Sequence, residues 1–191
     1  NADHKRTLII NYYLRWEWFY GSGELLAASG FYTNFTNPIE RVMKNINGEV
    51  QYQNVDKAIV YGLELEARTR LMRLHESLGR FSLGANLTLT RSNVNIAESE
   101  MIVLRSVDPN ASSKRNLQGQ PGYVLNLDFS YDNPELGSLA SVMYNVIGER
   151  MSDVTIGGAP NIFEQPAAIL DFTLTQKIWH GYSLKFAARN L

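Results

Sequence analysis

The chain has 191 residues, 45% hydrophobic and 19% charged, with a formal net charge of -1 and no cysteine. That length suits one domain with its own core or part of something larger, and the apolar-to-charged balance excludes a disordered chain and gives no sign of a nucleic-acid surface. The missing cysteines exclude disulfide frameworks and thiolate metal sites, no run of about 18 apolar residues marks a transmembrane helix, and the opening NADHKRTL carries no signal-peptide core.

Helical periodicity is scarce, while a period of two recurs from end to end. In NYYLRWEWFY, Tyr12, Leu14, Trp16, Trp18 and Tyr20 alternate with Asn11, Tyr13, Arg15, Glu17 and Phe19. The turn GSG leads into ELLAASGFYTNF, a strand whose phase the sequence leaves open, and then into a polar segment at about 37–56. The third strand, VYGLELEARTRL, sets Tyr61, Leu63, Leu65 and Ala67 against Gly62, Glu64, Glu66 and Arg68. After MRLHESLG, the run RFSLGANLTLT opposes Phe81, Leu83, Ala85, Leu87 and Leu89 to Ser82, Gly84, Asn86, Thr88 and Thr90. Another polar stretch, 93–121, precedes YVLNLDFSY, the turn DNPELG and a sixth strand, SLASVMYNVIGERM. The loop SDVTIGGAPNIFEQP separates that strand from AAILDFTLTQK, and IWHG turns the chain into a last strand, YSLKFAARNL. The expectation is therefore an all-β, antiparallel up-and-down sheet of about eight strands.

Alternation alone does not say which face is inside. A soluble sheet buries its apolar face, and a membrane barrel turns that face to lipid. Two features favour lipid. Connections alternate short and long, as in outer-membrane barrels, and the alternating runs reach about nine residues or more, the length a tilted membrane strand requires. The polar face then carries Arg15, Glu17, Glu64, Glu66, Arg68, Asn86, Asp128, Asp171, Lys185 and Arg189, the candidate lumen-facing residues of a transmembrane β-barrel. Trp18, Tyr20, Tyr131, Trp179 and Tyr182 cluster at strand ends, where an interfacial aromatic girdle sits. The long loops near 93–121 and 152–166 are expected to face outward and carry substrate or partner contacts.

YGLELEARTRL followed by FSLGANLTLTRSNV resembles the barrel strands of TonB-dependent outer-membrane receptors. NLQGQPGYVLNLDFSYD, SVMYNVIGERM, FEQPAAILDFTLTQK and YSLKFAARNL continue the resemblance in the family's C-terminal order, as does the earlier LRWEWFYGSGELLAASGFYTNFTNPIE. It implies a protein of the bacterial outer membrane, surrounded by lipid, that takes up a bulky, scarce nutrient of the siderophore, vitamin or glycan class. Its energy would come from a TonB complex acting on a plug. It also implies a barrel of 22-stranded type, of which 1–191 would be a C-terminal portion without plug domain or final strand.

No cofactor and no enzyme activity are expected. Glu64 and Glu66 share a face, a pattern compatible with acid-base or cation chemistry, but Arg68 beside them suits a hydrated, charge-balanced wall. His4, His75 and His180 lie at turns or a terminus and share no strand face, so they form no metal triad. No Ser-His-Asp order, P-loop or dinucleotide fingerprint falls in its required context, and the sequons at Asn34, Asn86 and Asn110 are chance matches. The competing reading is a soluble all-β ligand-binding module of sandwich or lipocalin type, with Leu63, Leu65, Phe129 and Phe172 in a core.

Overall fold

A computed structural model describes residues 4–45, 47–156, 159–179 and 181–191. The first strands are β1 (Leu8–Gly21), β2 (Glu24–Thr36), β3 (Ile39–Met43), β4 (Val50–Asn54), β5 (Lys57–Arg70) and β6 (Phe81–Asn95). A helix, α1 (Glu98–Val107), leads to β7 (Lys114–Arg115), β8 (Tyr123–Asn133), β9 (Ser138–Ile147) and β10 (Arg150–Thr155). The chain closes with β11 (Ile162–Glu164), β12 (Ala167–Trp179) and β13 (Tyr182–Ala188).

The long strands pair in the order β1-β2-β5-β6-β8-β9-β12-β13, antiparallel throughout, with β7 added to the end of β6. This is the predicted up-and-down meander. Seven of the eight have 10 to 15 residues, above the usual soluble strand of about 5–6. Among the described residues β1 and β13 each pair on one side only.

The register fixes both faces. One row crosses Trp16, Ala28, Leu65, Leu87, Leu125, Val146 and Ala168, and the next crosses Trp18, Leu26, Ala67, Ala85, Leu127, Tyr144 and Leu170. Large side chains on this face stand in the open: Leu14 is 80% exposed and Leu184 61%. The phase of β2 is also settled. Leu26, Ala28 and Tyr32 join the apolar face, while Leu25, Ala27 and Ser29 join the polar one.

Most of the buried apolar residues lie at the long-loop end, where the sequence suggests only polar loops. A second sheet, β11-β10-β3-β4, forms there. In it β10 runs parallel to β3, pairing Val154 with Val42 and Thr155 with Met43. Val42, Met151 and Val154 are its core, packed by Ile156. Val55, Ala58 and Val94 form a second cluster beneath it, flanked by Phe35 and Leu117. The predicted sixth strand is consequently two: β9 ends at Ile147 and β10 leaves for the second sheet. The bend is at Gly148, whose N–H donates to the Tyr123 carbonyl (2.9 Å) and where a Cβ would stand 2.7 Å from the Tyr123 ring. The last strand is shorter than predicted and stops at Ala188, so Arg189 lies one residue beyond it.

Candidate functional site

Side chains directly opposite in an antiparallel pair point the same way, so the register can be followed from strand to strand. It brings Arg15, Glu17, Glu64, Glu66, Arg68, Asn86, Asp128, Asp171 and Lys185 to a single face. Arg189 follows β13, and the neighbouring Asn190 N–H donates to Asp171 Oδ1 (2.9 Å).

The β1–β2–β5 part of this face is a charge network. Arg15 donates through Nη2 to Glu66 (2.8 Å), through Nε to Glu17 (2.6 Å), and through Nη1 to Ser29 Oγ (3.3 Å). Arg68 pairs with the other oxygen of Glu66 at 2.7 Å. The Tyr13 hydroxyl lies 2.9 Å from Ser29 Oγ and 3.2 Å from Glu64. The arrangement is possible because β2 presents small side chains, Ala27 and Ser29, where β1 and β5 present long charged ones. Of the two glutamates that could have signalled acid-base chemistry, Glu66 is thus tied to two guanidinium groups, while Glu64 accepts from the Tyr13 hydroxyl.

Farther along, the row from Glu66 continues through Asn86, Asn126 and Asn145, with the Asn145 amide donating to Asn126. The neighbouring row sets Arg68 beside Gly84, Asp128, Met143 and Asp171. Ser130 donates to Asp128 (2.8 Å) and meets Ser141 at 2.9 Å. Glu66, Arg68, Asn86, Asn126, Asp128 and Asp171 line a groove of about 630 Å³. Amides, hydroxyls and charges of both signs here can exchange hydrogen bonds with water or a polar solute. Sequence reading missed Ser29 and Asn145, because only the register of β2 and β9 reveals which face they join.

At the opposite ends of the strands the two rims are locked differently. On the short-turn rim, beyond the apolar band, Arg73 clasps Glu24 with Nε (2.9 and 3.0 Å) and Nη2 (2.8 Å), and its guanidinium lies 4.9 Å from the Tyr20 ring centre. Those bonds, with a further donation from the Arg70 N–H (3.1 Å), bring the Glu24 carboxyl down to about 2. On the long-loop rim, Arg115 of β7 donates to Glu40 of β3, and its Nη1 lies 3.8 Å from Glu100 of α1. All three side chains are under 10% exposed. Burial pushes the Glu40 carboxyl up, against the pull of Arg115. The triad staples two long loops together, and nothing in the polar sequence of 37–56 or 93–121 announces it.

His75 accepts from the Ser77 N–H (3.3 Å) in the β5–β6 turn, His4 is exposed, and His180 lies outside the described residues. Among the described residues no three His, Cys, Asp or Glu side chains are gathered as metal ligands.

The TonB-dependent receptor-like β-barrel model matches residues 9–191. Among solved structures, a mutant of the ferric enterobactin receptor of Pseudomonas aeruginosa is 18% identical, with a TM-score of 0.62 over 97% of this chain and 26% of that one. The ferric yersiniabactin uptake receptor of Yersinia pestis is also 18% identical, with a TM-score of 0.65 over 97% of this chain and 25% of the receptor. The copper transporter OprC is 16% identical, with a TM-score of 0.68 over 99% of this chain and 26% of the transporter. The chain thus spans about a quarter of the length of these proteins. No curated protein sequence matches it.

Proposed function

Because this chain belongs to the TonB-dependent receptor-like β-barrel family, we propose that it forms part of the wall of an outer-membrane uptake channel. Its apolar face would meet lipid, and its polar face, with Arg15, Glu17, Glu64, Glu66, Arg68, Asn86, Asp128, Asp171, Lys185 and Arg189, would line a water-filled lumen. The observation that carries this reading is the separation of the two faces. Rows of Leu, Phe, Tyr, Trp, Val and Ala cross the long strands uncovered, while ion pairs and amides occupy the other side.

Dimensions support it. From Tyr12 to Tyr20 the apolar face of β1 runs roughly 27 Å along the strand, which a tilt of about 35–45° reduces to roughly 19–22 Å, of the same order as the ~25 Å apolar band of such barrels. A soluble sandwich would need a second layer over that face. The second sheet instead caps the long-loop end, leaving Leu14 and Leu65 open.

The cargo class we propose is a bulky, scarce nutrient, with ferric siderophores first to be tested because receptors for ferric enterobactin and ferric yersiniabactin share the fold. Energy would come from the TonB complex. Cells producing the protein should accumulate a radiolabelled ferric siderophore only while that complex is active. Accumulation that persists without the complex would overturn the proposal.

A further inference from the structure

Resting on the reading that the apolar face meets lipid, we propose that Arg91 anchors a binding site for the phosphate headgroup of a membrane lipid in the leaflet on the long-loop side. Apart from Glu24 and Lys57, the first residues of β2 and β5, Arg91 is the one charged residue that the described long strands place on the apolar face. Its guanidinium has no hydrogen bond or ion pair among the described residues, whereas Arg15, Arg68, Arg73, Arg80, Arg115 and Arg150 all have carboxylate partners.

Its height along the strands is the second observation. The register sets Tyr12, Tyr32, Tyr61 and Arg91 in one row, with the Tyr12 and Tyr32 ring centres 6.4 Å apart. The row toward the short turns is Leu14, Gly30, Leu63 and Leu89, wholly without charge. The row toward the long loops is Ile10, Asn34, Ile59 and Asn93, where amides begin. Arg91 therefore stands where hydrocarbon gives way to headgroups. Tyrosines favour that depth, and a cation costs little there compared with the midplane.

The third observation is a pocket. β8 begins at Tyr123 opposite Leu89, and β6 regains a partner only at Val94, which pairs with Arg115 of β7. Residues 91–93 of β6 consequently border a notch in the sheet. Tyr61, Arg91, Asn93, Asn116 and Gln120 line a cavity of about 330 Å³ there. A guanidinium offers a planar fork of N–H donors to phosphate oxygens, and three amide side chains add donors around it. An anionic headgroup supplies the charge that Arg91 lacks, and its acyl chains would lie along the Leu63 and Leu89 side of the row.

The test uses the complete protein in phosphatidylcholine vesicles containing phosphatidic acid, followed by measurement of the lipids retained after detergent extraction. Wild type should retain phosphatidic acid over phosphatidylcholine about tenfold better than Arg91→Gln, the loss expected for a charge-assisted hydrogen-bonded pair. Arg105→Gln, which removes an exposed cation from α1, should match wild type. Excess inorganic phosphate should not displace the lipid. Quenching of Trp16 and Trp18 fluorescence by brominated acyl chains, measured on the same samples, reports whether the apolar face meets lipid at all. Quenching with equal retention by wild type and Arg91→Gln would overturn the headgroup site and leave the lipid-facing reading standing, and so would displacement by inorganic phosphate. An absence of quenching would remove both.

Discussion

Arg15 and Glu66 meet at 2.8 Å across an entire intervening strand. β2 yields the space because its polar-face residues there are Ala27 and Ser29, and Arg15 reaches over them from β1 to β5. The two side chains remain 28% and 16% exposed, so water screens the pair. A double-mutant cycle with Arg15→Gln and Glu66→Gln should return a coupling of about 0.2–1 kcal/mol, typical of a hydrated pair. A coupling of several kcal/mol would mean a dry wall and would contradict a water-filled lumen.

Leu65 and Glu66 are chain neighbours on opposite faces. Leu65→Arg puts a cation into the apolar row between Ala28 and Leu87, at a cost of roughly 2–4 kcal/mol if that face meets the bilayer midplane. Glu66→Gln only neutralises one member of a solvated network. Folding yield into lipid vesicles should therefore fall sharply for Leu65→Arg and little for Glu66→Gln. Equal yields would sink the lipid-facing assignment.

The Glu24–Arg73 clasp gives a pH dependence with a definite sign. The folded carboxyl titrates near 2, below its ordinary value of 4.5. The contribution to stability is complete above that ordinary value and disappears as pH falls through about 2. Removing the guanidinium with Arg73→Ala should lower stability at neutral pH, and its difference from wild type should shrink as pH drops between 4.5 and 2. Urea unfolding in detergent at stepped pH would check this. A difference that stays constant through that window would assign the loss to the Tyr20 contact instead.

In the long-loop cap, Arg115 faces two buried carboxylates. Arg115→Ala leaves them without a counter-charge and should cost about 3–5 kcal/mol, the usual penalty for breaking a buried pair from one side. Glu40→Gln should cost less, since burial already opposes the charge on that carboxyl. The damage should be local. Hydrogen exchange should accelerate in β3, β10 and α1 while β5 and β6 keep their protection. Uniform acceleration across all the long strands would show that the cap and sheet unfold as one unit.

The long strands were legible in the sequence because a period of two appears in the residues whichever face is inside, and strands of ten or more residues repeat it enough times to stand out. Glu64 against Leu65 and Asp128 against Leu127 are plain in one dimension. β2 was ambiguous for a physical reason: with Leu25, Leu26, Ala27 and Ala28 in succession it has apolar residues on both faces, and only pairing with β1 and β5 gives it a phase. The cap was not legible. β7 has two residues and β11 three, too few to alternate. Glu40 is buried beside Val42, against the rule that charge marks the surface. The helix α1 follows Ala97, which offers no side-chain cap, and buries only Glu100 and Met101, so neither its start nor its apolar stripe is marked.

The parallel pairing of Val42 with Val154 also sets an order of events during folding. Each long strand of the meander zips onto the one just before it, a contact between chain neighbours that closes quickly. β3 has no such strand partner apart from β4, and β10, the strand that completes its pairing, is synthesised only after β5, β6, β8 and β9. The cap must therefore wait for most of the sheet, and its closing is the slow, long-range step. A chain interrupted before residue 154 would keep its hairpins yet leave Val42 in water, so occlusion of the cap serves as a clock for completed assembly.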